Sequence, residues 1–156
     1  MTTANLRLTR RVVLKVLYDS GMGHILIKPV STPARSNLFS IYSESPRLGK
    51  EKQKIFHSVV CRLLYVSLRG RRDIQLATIF LASMVKDTTI KDYLKLRRLL
   101  CYLKGTIDET AFLGAENLHT MVTPVDVSYA THEDFKNHTG GASSYGIGLI
   151  SSKSSK

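Results

Sequence analysis

TIKDYLKLRRLLCYLKGTID, residues 89 to 108, is the stretch from which the fold can be read. Thr89 followed three residues later by Asp92 resembles a capping box, in which a hydroxyl and a carboxylate each satisfy a backbone donor at a helix start. Leu96, Leu99, Leu100 and Leu103 recur at helical spacing, and Gly105 is a credible stop. Lys91, Lys95 and Arg98 follow the i, i+4, i+7 spacing that lines the other side. The segment therefore predicts a helix that packs one face and carries a basic stripe on the other. A solvated face explains such a stripe as well as a ligand-binding one does.

Upstream, the helical period continues. Residues 7 to 20 place Val13, Val16 and Leu17 together, with Gly21 as a stop; residues 51 to 69 repeat Ile55, Val59, Leu63 and Val66, with a break at Gly70. Asp73 is placed to cap a further helix in which Ile74, Ala77, Leu81 and Val85 share a face. Between Met22 and Lys50, Pro29, Pro33 and Pro46 mixed with Ser, Gly and Asn mark an irregular connection. Downstream of Gly105 the period shortens. Residues 111–113, 118–125 and 142–150 are short apolar or alternating runs that read as strands, the last two forming an antiparallel hairpin around a polar connection, residues 128 to 140. A hairpin of this size is marginal by itself in water. The Ser/Lys tail, residues 151 to 156, reads as a frayed end.

Composition fits this division. A chain of 156 residues with 43% hydrophobic and 22% charged residues has a globular composition. Of its formal net charge of +11, residues 1–110 carry 20 basic against 8 acidic side chains, whereas residues 111–156 carry 3 against 4. A basic front attracts polyanions, nucleic acid foremost, although a surface that only keeps the protein in solution has the same balance. No apolar run nears the roughly 20 residues of a membrane span, and no secretory pattern opens the chain. The expected location is intracellular, cytoplasmic or nuclear. Cys61 and Cys101 fall within helical apolar patterns, as buried reduced thiols do.

Four phrases then line up in one order. GMGHILIKPVSTPARSNLF (Gly21 to Phe39), FHSVVCRLLYVSLRGRRDIQLATIFL (Phe56 to Leu81), KLRRLLCYLKGTID (Lys95 to Asp108) and VDVSYATHEDFKNHTGGASSYGIGLI (Val125 to Ile150) resemble successive segments of copia-type LTR retrotransposon Pol polyproteins. The resemblance implies that residues 1–110 correspond to a helical reverse transcriptase thumb and connection. It implies that residues 111–156 are the truncated opening, an incomplete antiparallel hairpin, of a ribonuclease H-like domain, an α+β arrangement overall. Such polymerases hold an RNA–DNA hybrid or duplex DNA by its backbone, a task that suits Lys91, Lys95 and Arg98. The rest of the Pol polyprotein is the other implied partner.

The same resemblance assigns Asp126, in Val-Asp-Val-Ser-Tyr, as an ancestral ribonuclease H carboxylate and Mg ligand. Two-metal hydrolysis needs several converging carboxylates, and the family's second one lies in a helix beyond the matched region. The polymerase's aromatic-x-Asp-Asp motif does not occur in the sequence. Both sites are thus incomplete here, and the chain is expected to be inactive alone and to bind Mg poorly. Glu133 and Asp134 do not match ligand positions, and His132 and His138 read as ordinary loop histidines. His57 and Cys61, four apart, read as packed helix residues, and Gly140-Gly141 as a turn. Departures from the family include Arg72 for its proline, Val127 for its alanine, and Pro124 inside a strand that should be central. Three functions compete: an inactive polymerase and ribonuclease H fragment, a standalone basic nucleic-acid-binding module, and a nuclease completed by oligomerisation.

Overall fold

Thr89 and Asp92 close the expected reciprocal cap. The Thr89 Oγ1 accepts from the Asp92 backbone N–H at 3.3 Å, and the Asp92 carboxylate accepts from the Thr89 N–H at 3.0 Å. This cap starts the last of four helices found among the described residues of the computed structural model, which are 3–21, 28–109, 115, 117–128 and 137–155. The helices are α1 (Thr3–Asp19), α2 (Lys50–Arg69), α3 (Gln75–Ser83) and α4 (Ile90–Gly105), with short 3-10 turns at Arg72–Ile74 and Val85–Asp87. None is long and apolar enough to cross a membrane. Three strands follow: β1 (Val125–Ser128), β2 (His138–Ser143) and β3 (Ser151–Ser155), so the chain is mixed α+β.

The core lies between the helices. Val13, Val16 and Leu17 of α1 meet Phe56, Val59, Val60, Leu63 and Val66 of α2, Ala77, Phe80 and Leu81 of α3, and the four leucines of α4. On α2 the buried residue of the first turns is Phe56, and Ile55 faces outward at 39% exposure. The expected stripe is therefore right in period and shifted by one position at its start. Arg62 pairs with Asp19, tying the end of α1 to α2. Gly21, at φ +67°, ends the α1 segment in the left-handed conformation that glycine adopts without strain.

Residues 28–49 cross the face of α4 as irregular backbone. Leu48 N–H donates to the Thr88 carbonyl at 3.0 Å and Ile90 N–H to the Pro46 carbonyl at 2.9 Å, pinning the connection to the start of α4. At the other end of α4, a Cβ built on Gly105 would stand 2.9 Å from the Pro29 Cβ and 3.6 Å from its Cα. A proline ring fixed to its own backbone has little room to give. Gly105→Val is expected to lower stability by about 2 kcal/mol through this overlap, read as an earlier urea midpoint with an unchanged slope.

The sheet departs from expectation in three places. Its order is β1-β2-β3, antiparallel, with Val125 opposite Gly141 and Thr139 opposite Ser155. Residues 144–150 form a bend, because Gly146 and Gly148 take φ of 141° and 83° and Ser144 hydrogen-bonds both their carbonyls at 2.7 Å. The Ser/Lys tail that read as frayed is β3. Strand pairing uses backbone groups, and Gln75 of α3 holds this strand by donating to the Ser152 carbonyl at 3.1 Å and accepting from its hydroxyl. Pro124 is not inside a central strand. It precedes β1, an edge strand, and faces Ala142: its carbonyl accepts from Ala142 N–H at 3.1 Å, and its missing N–H leaves the return bond of that pair unmade, a loss that an edge position tolerates. Of the expected strand 118–125, Val122 makes an isolated bridge to Ser144 and Val125 begins β1; residues 111–113 lie outside the described residues.

Candidate functional site

Lys91, Lys95 and Arg98 do project from one side of α4, but the side they share is the seam on which residues 28–42 rest. Lys91 is exposed, its Nζ 5.7 Å from the Tyr42 ring centre. Lys95 is turned inward. Its ammonium donates to the Ser40 carbonyl at 2.6 Å, lies 3.6 Å from the Asp92 carboxylate, and sits 4.5 Å from the centre of the Phe80 ring. Arg98 donates through Nη2 to the Thr32 hydroxyl at 2.8 Å, and its Nε is buried without an acceptor among the described residues. The stripe is thus one outward cation and two that also hold a loop.

Between α4, α3 and that loop lies an open cleft of about 450 Å³. Its walls carry Lys28, Arg35, Lys91, Lys95, Arg97 and Arg98, and its apolar lining includes Leu38, Leu81, Ala77 and Leu94. Tyr42 and Cys101 also line it. Burial pushes the Cys101 thiol up, against the opposing pull of Arg97, Arg98 and Lys104, so it stays neutral at physiological pH. Lys28, Arg35 and Arg97 were not legible as members of this group. Two of them belong to an irregular connection, where no period relates a residue to a helix face.

A second polar cluster lies at the opposite end of α4. The Arg71 guanidinium donates to both Asp73 carboxylate oxygens, at 3.0 Å from Nε and 2.8 Å from Nη2, and to the Thr106 carbonyl at 2.7 Å from Nη1. It also lies 5.5 Å from the centre of the Tyr102 ring. Burial by itself would raise the Asp73 carboxyl, but the hydrogen bonds and charge of Arg71 hold it below the ordinary aspartate value. Burial would lower Arg71 likewise, and Asp73 reverses that. This explains why Asp73 does not cap α3, whose preceding residue, Ile74, makes no side-chain cap: a bidentate guanidinium is a stronger partner than a backbone N–H.

The remaining expected residues are dispersed. Asp126 is exposed on edge strand β1, opposite Gly140. Mg takes octahedral oxygen ligands, and a lone carboxylate facing a glycine does not make such a site; among the described residues no three His, Cys, Asp or Glu side chains gather. Asp126 is thus a single carboxylate among the described residues, and Mg is an expectation of the resemblance alone. His132, Glu133 and Asp134 lie outside the described residues, while His138 opens β2 rather than lying in a loop. Gly140 and Gly141 sit within β2, not in a turn. His57 and Cys61 are exposed on α2 rather than packed, since the apolar face there is taken by Phe56, Val59, Val60 and Leu63; Cys101 is the buried thiol. The chain matches no protein-family model, no curated protein and no solved structure.

Proposed function

We propose that the chain is a segment of a copia-type retrotransposon reverse transcriptase and ribonuclease H polyprotein, inactive by itself, whose helical part holds a primer–template duplex by its phosphates. The reading rests on the four phrases that resemble that family in one order from Gly21 to Ile150, with the net positive charge lying in the part they assign to the polymerase. Lys91 and Arg97, both exposed on α4, are the phosphate contacts on this reading, with Arg98 beside them. Lys95 serves by holding the loop. The standalone basic module is the second reading, favoured by the same outward cations without reference to the polyprotein.

An RNA–DNA hybrid titrated across a salt series with Mg present tests both. Binding is expected in the range of about 10⁻⁴ to 10⁻⁶ M, weakening as salt rises, with no cleavage. Lys91→Ala should flatten the slope of log K against log salt by about 0.9, the value for one lost phosphate contact. Lys95→Ala should instead act first on stability. No binding at low salt would remove the standalone module and the duplex-holding role, leaving an inert segment of the polyprotein, and cleavage abolished by Asp126→Asn would replace inactivity with the oligomer-completed nuclease.

A further inference from the structure

The cleft beside α4 has a composition that a duplex backbone does not require. Phosphates on a duplex are met by an outward cationic surface, whereas this site is concave and apolar within. Its volume of about 450 Å³ falls in the range of small-molecule sites, about 300–1,000 Å³. Lys28, Arg35, Lys91, Lys95, Arg97 and Arg98 surround it, and no Asp or Glu lines it among the described residues. Of the six, Lys95 has a carboxylate in ion-pair range, Asp92; Lys28, Arg35, Lys91, Arg97 and Arg98 have none among the described residues.

We infer that this cleft binds a small organic anion with a flat apolar body, of the size and chemistry of an aryl phosphate. Like charges gathered around a low-dielectric hollow repel one another and focus a positive potential into it, and a bound anion relieves the first by using the second. Arg98 brings its guanidinium to the cleft wall, where Nη2 donates to the Thr32 hydroxyl at 2.8 Å. The apolar body is met by Leu94 and the edge of Leu38, with Tyr42 as an aromatic wall and the core residue Leu81 behind them. Neither half of the ligand suffices: a bare phosphate leaves the apolar lining wet, and a neutral arene leaves Lys28, Arg35, Lys91, Arg97 and Arg98 without a carboxylate or phosphate in ion-pair range. The inference does not rest on the retrotransposon reading.

The test uses 1-naphthyl phosphate, followed by its fluorescence at physiological salt, against 1-naphthol and inorganic phosphate. Saturable one-to-one binding at least about tenfold tighter than either fragment is expected, with a further loss of about tenfold in Arg98→Ala, the share of one charge-assisted bond. Lys91→Glu, at an exposed position, should weaken binding at least as much, and it keeps the test decisive if Arg98→Ala does not fold. Lys52→Glu, exposed on α2 away from the cleft, should leave it unchanged. Binding no tighter than that of 1-naphthol, or weakened equally by Lys52→Glu, overturns the proposal. Naphthyl phosphate binding in a chain that fails to bind the RNA–DNA hybrid supports the cleft while removing the duplex reading.

Discussion

Arg71→Ala is expected to destabilise the protein by about 3 kcal/mol, the lower end of the range for removing one partner of a buried pair. The Arg71 side chain is 6% exposed, while that of Asp73 is 37% exposed, so water can replace part of what the carboxylate loses. It cannot readily reach everything else. The Thr106 carbonyl loses a 2.7 Å donor, its hydroxyl a 2.6 Å one, and the Tyr102 ring its cation. These contacts join the turn after α2 to the end of α4, so the variant loosens a long-range closure. Arg71→Lys should recover little, because an ammonium cannot donate in the fork geometry that serves Asp73 and Thr106 together.

The pH dependence carries the same signature. Asp73 has a folded-state value held below its ordinary one of about 3.9. Its contribution to stability is therefore fully present above that value and is lost as pH falls through the lower, folded-state one. Urea midpoints of the parent and of Arg71→Ala should be well separated at neutral pH and draw closer in acid, leaving the share that comes from Thr106 and Tyr102. A gap that stays constant down to that range would mean that the cost comes from lost packing and the Thr106 bonds, with Asp73 contributing nothing.

These two clusters show what the sequence could and could not convey. The start of α4 was readable because a capping box is local: Thr89 and Asp92 are three residues apart and need no third element. The leucine face of the same helix was readable for the same reason. By contrast, Lys95 has an unremarkable position in its helical period, and its engagement with Ser40 depends on a loop that no period describes. Asp73 misled in a related way. Its place before a helix is that of a cap, but Arg71, two residues earlier, competes for it, and that competition is decided by burial under Tyr102 and Thr106. The third strand was hidden because Ser151–Ser155 carries no apolar alternation; the Gln75 side chain that secures it comes from a helix more than seventy residues earlier. For Asp126 the local assignment as a strand residue was sound, and what it could not provide was a set of carboxylates around it.

Phe80→Ala is expected to cost about 3–5 kcal/mol, the range for truncating a fully buried aromatic side chain. Phe80 is 2% exposed, and its ring meets Phe39 edge-on, with centres 5.7 Å apart and planes at 76°. The Lys95 ammonium stands 4.5 Å from the same ring's centre. One ring therefore supports both the loop that forms one wall of the cleft and the lysine that fastens that loop to α4. Removing it leaves a cavity beneath residues 28–42 and takes from Lys95 the aromatic face that offsets part of its desolvation. Phe80→Leu keeps most of the volume but not the ring, and should cost about 1.5 kcal/mol or less. The comparison separates filling from fastening. If naphthyl phosphate binding falls in Phe80→Leu while the urea midpoint barely moves, the aromatic contact with Phe39 and Lys95 is what shapes the cleft. If binding and stability fall together across both variants, Phe80 matters to the cleft only as core volume, and the loop is held in place by the Lys95–Ser40 and Arg98–Thr32 hydrogen bonds.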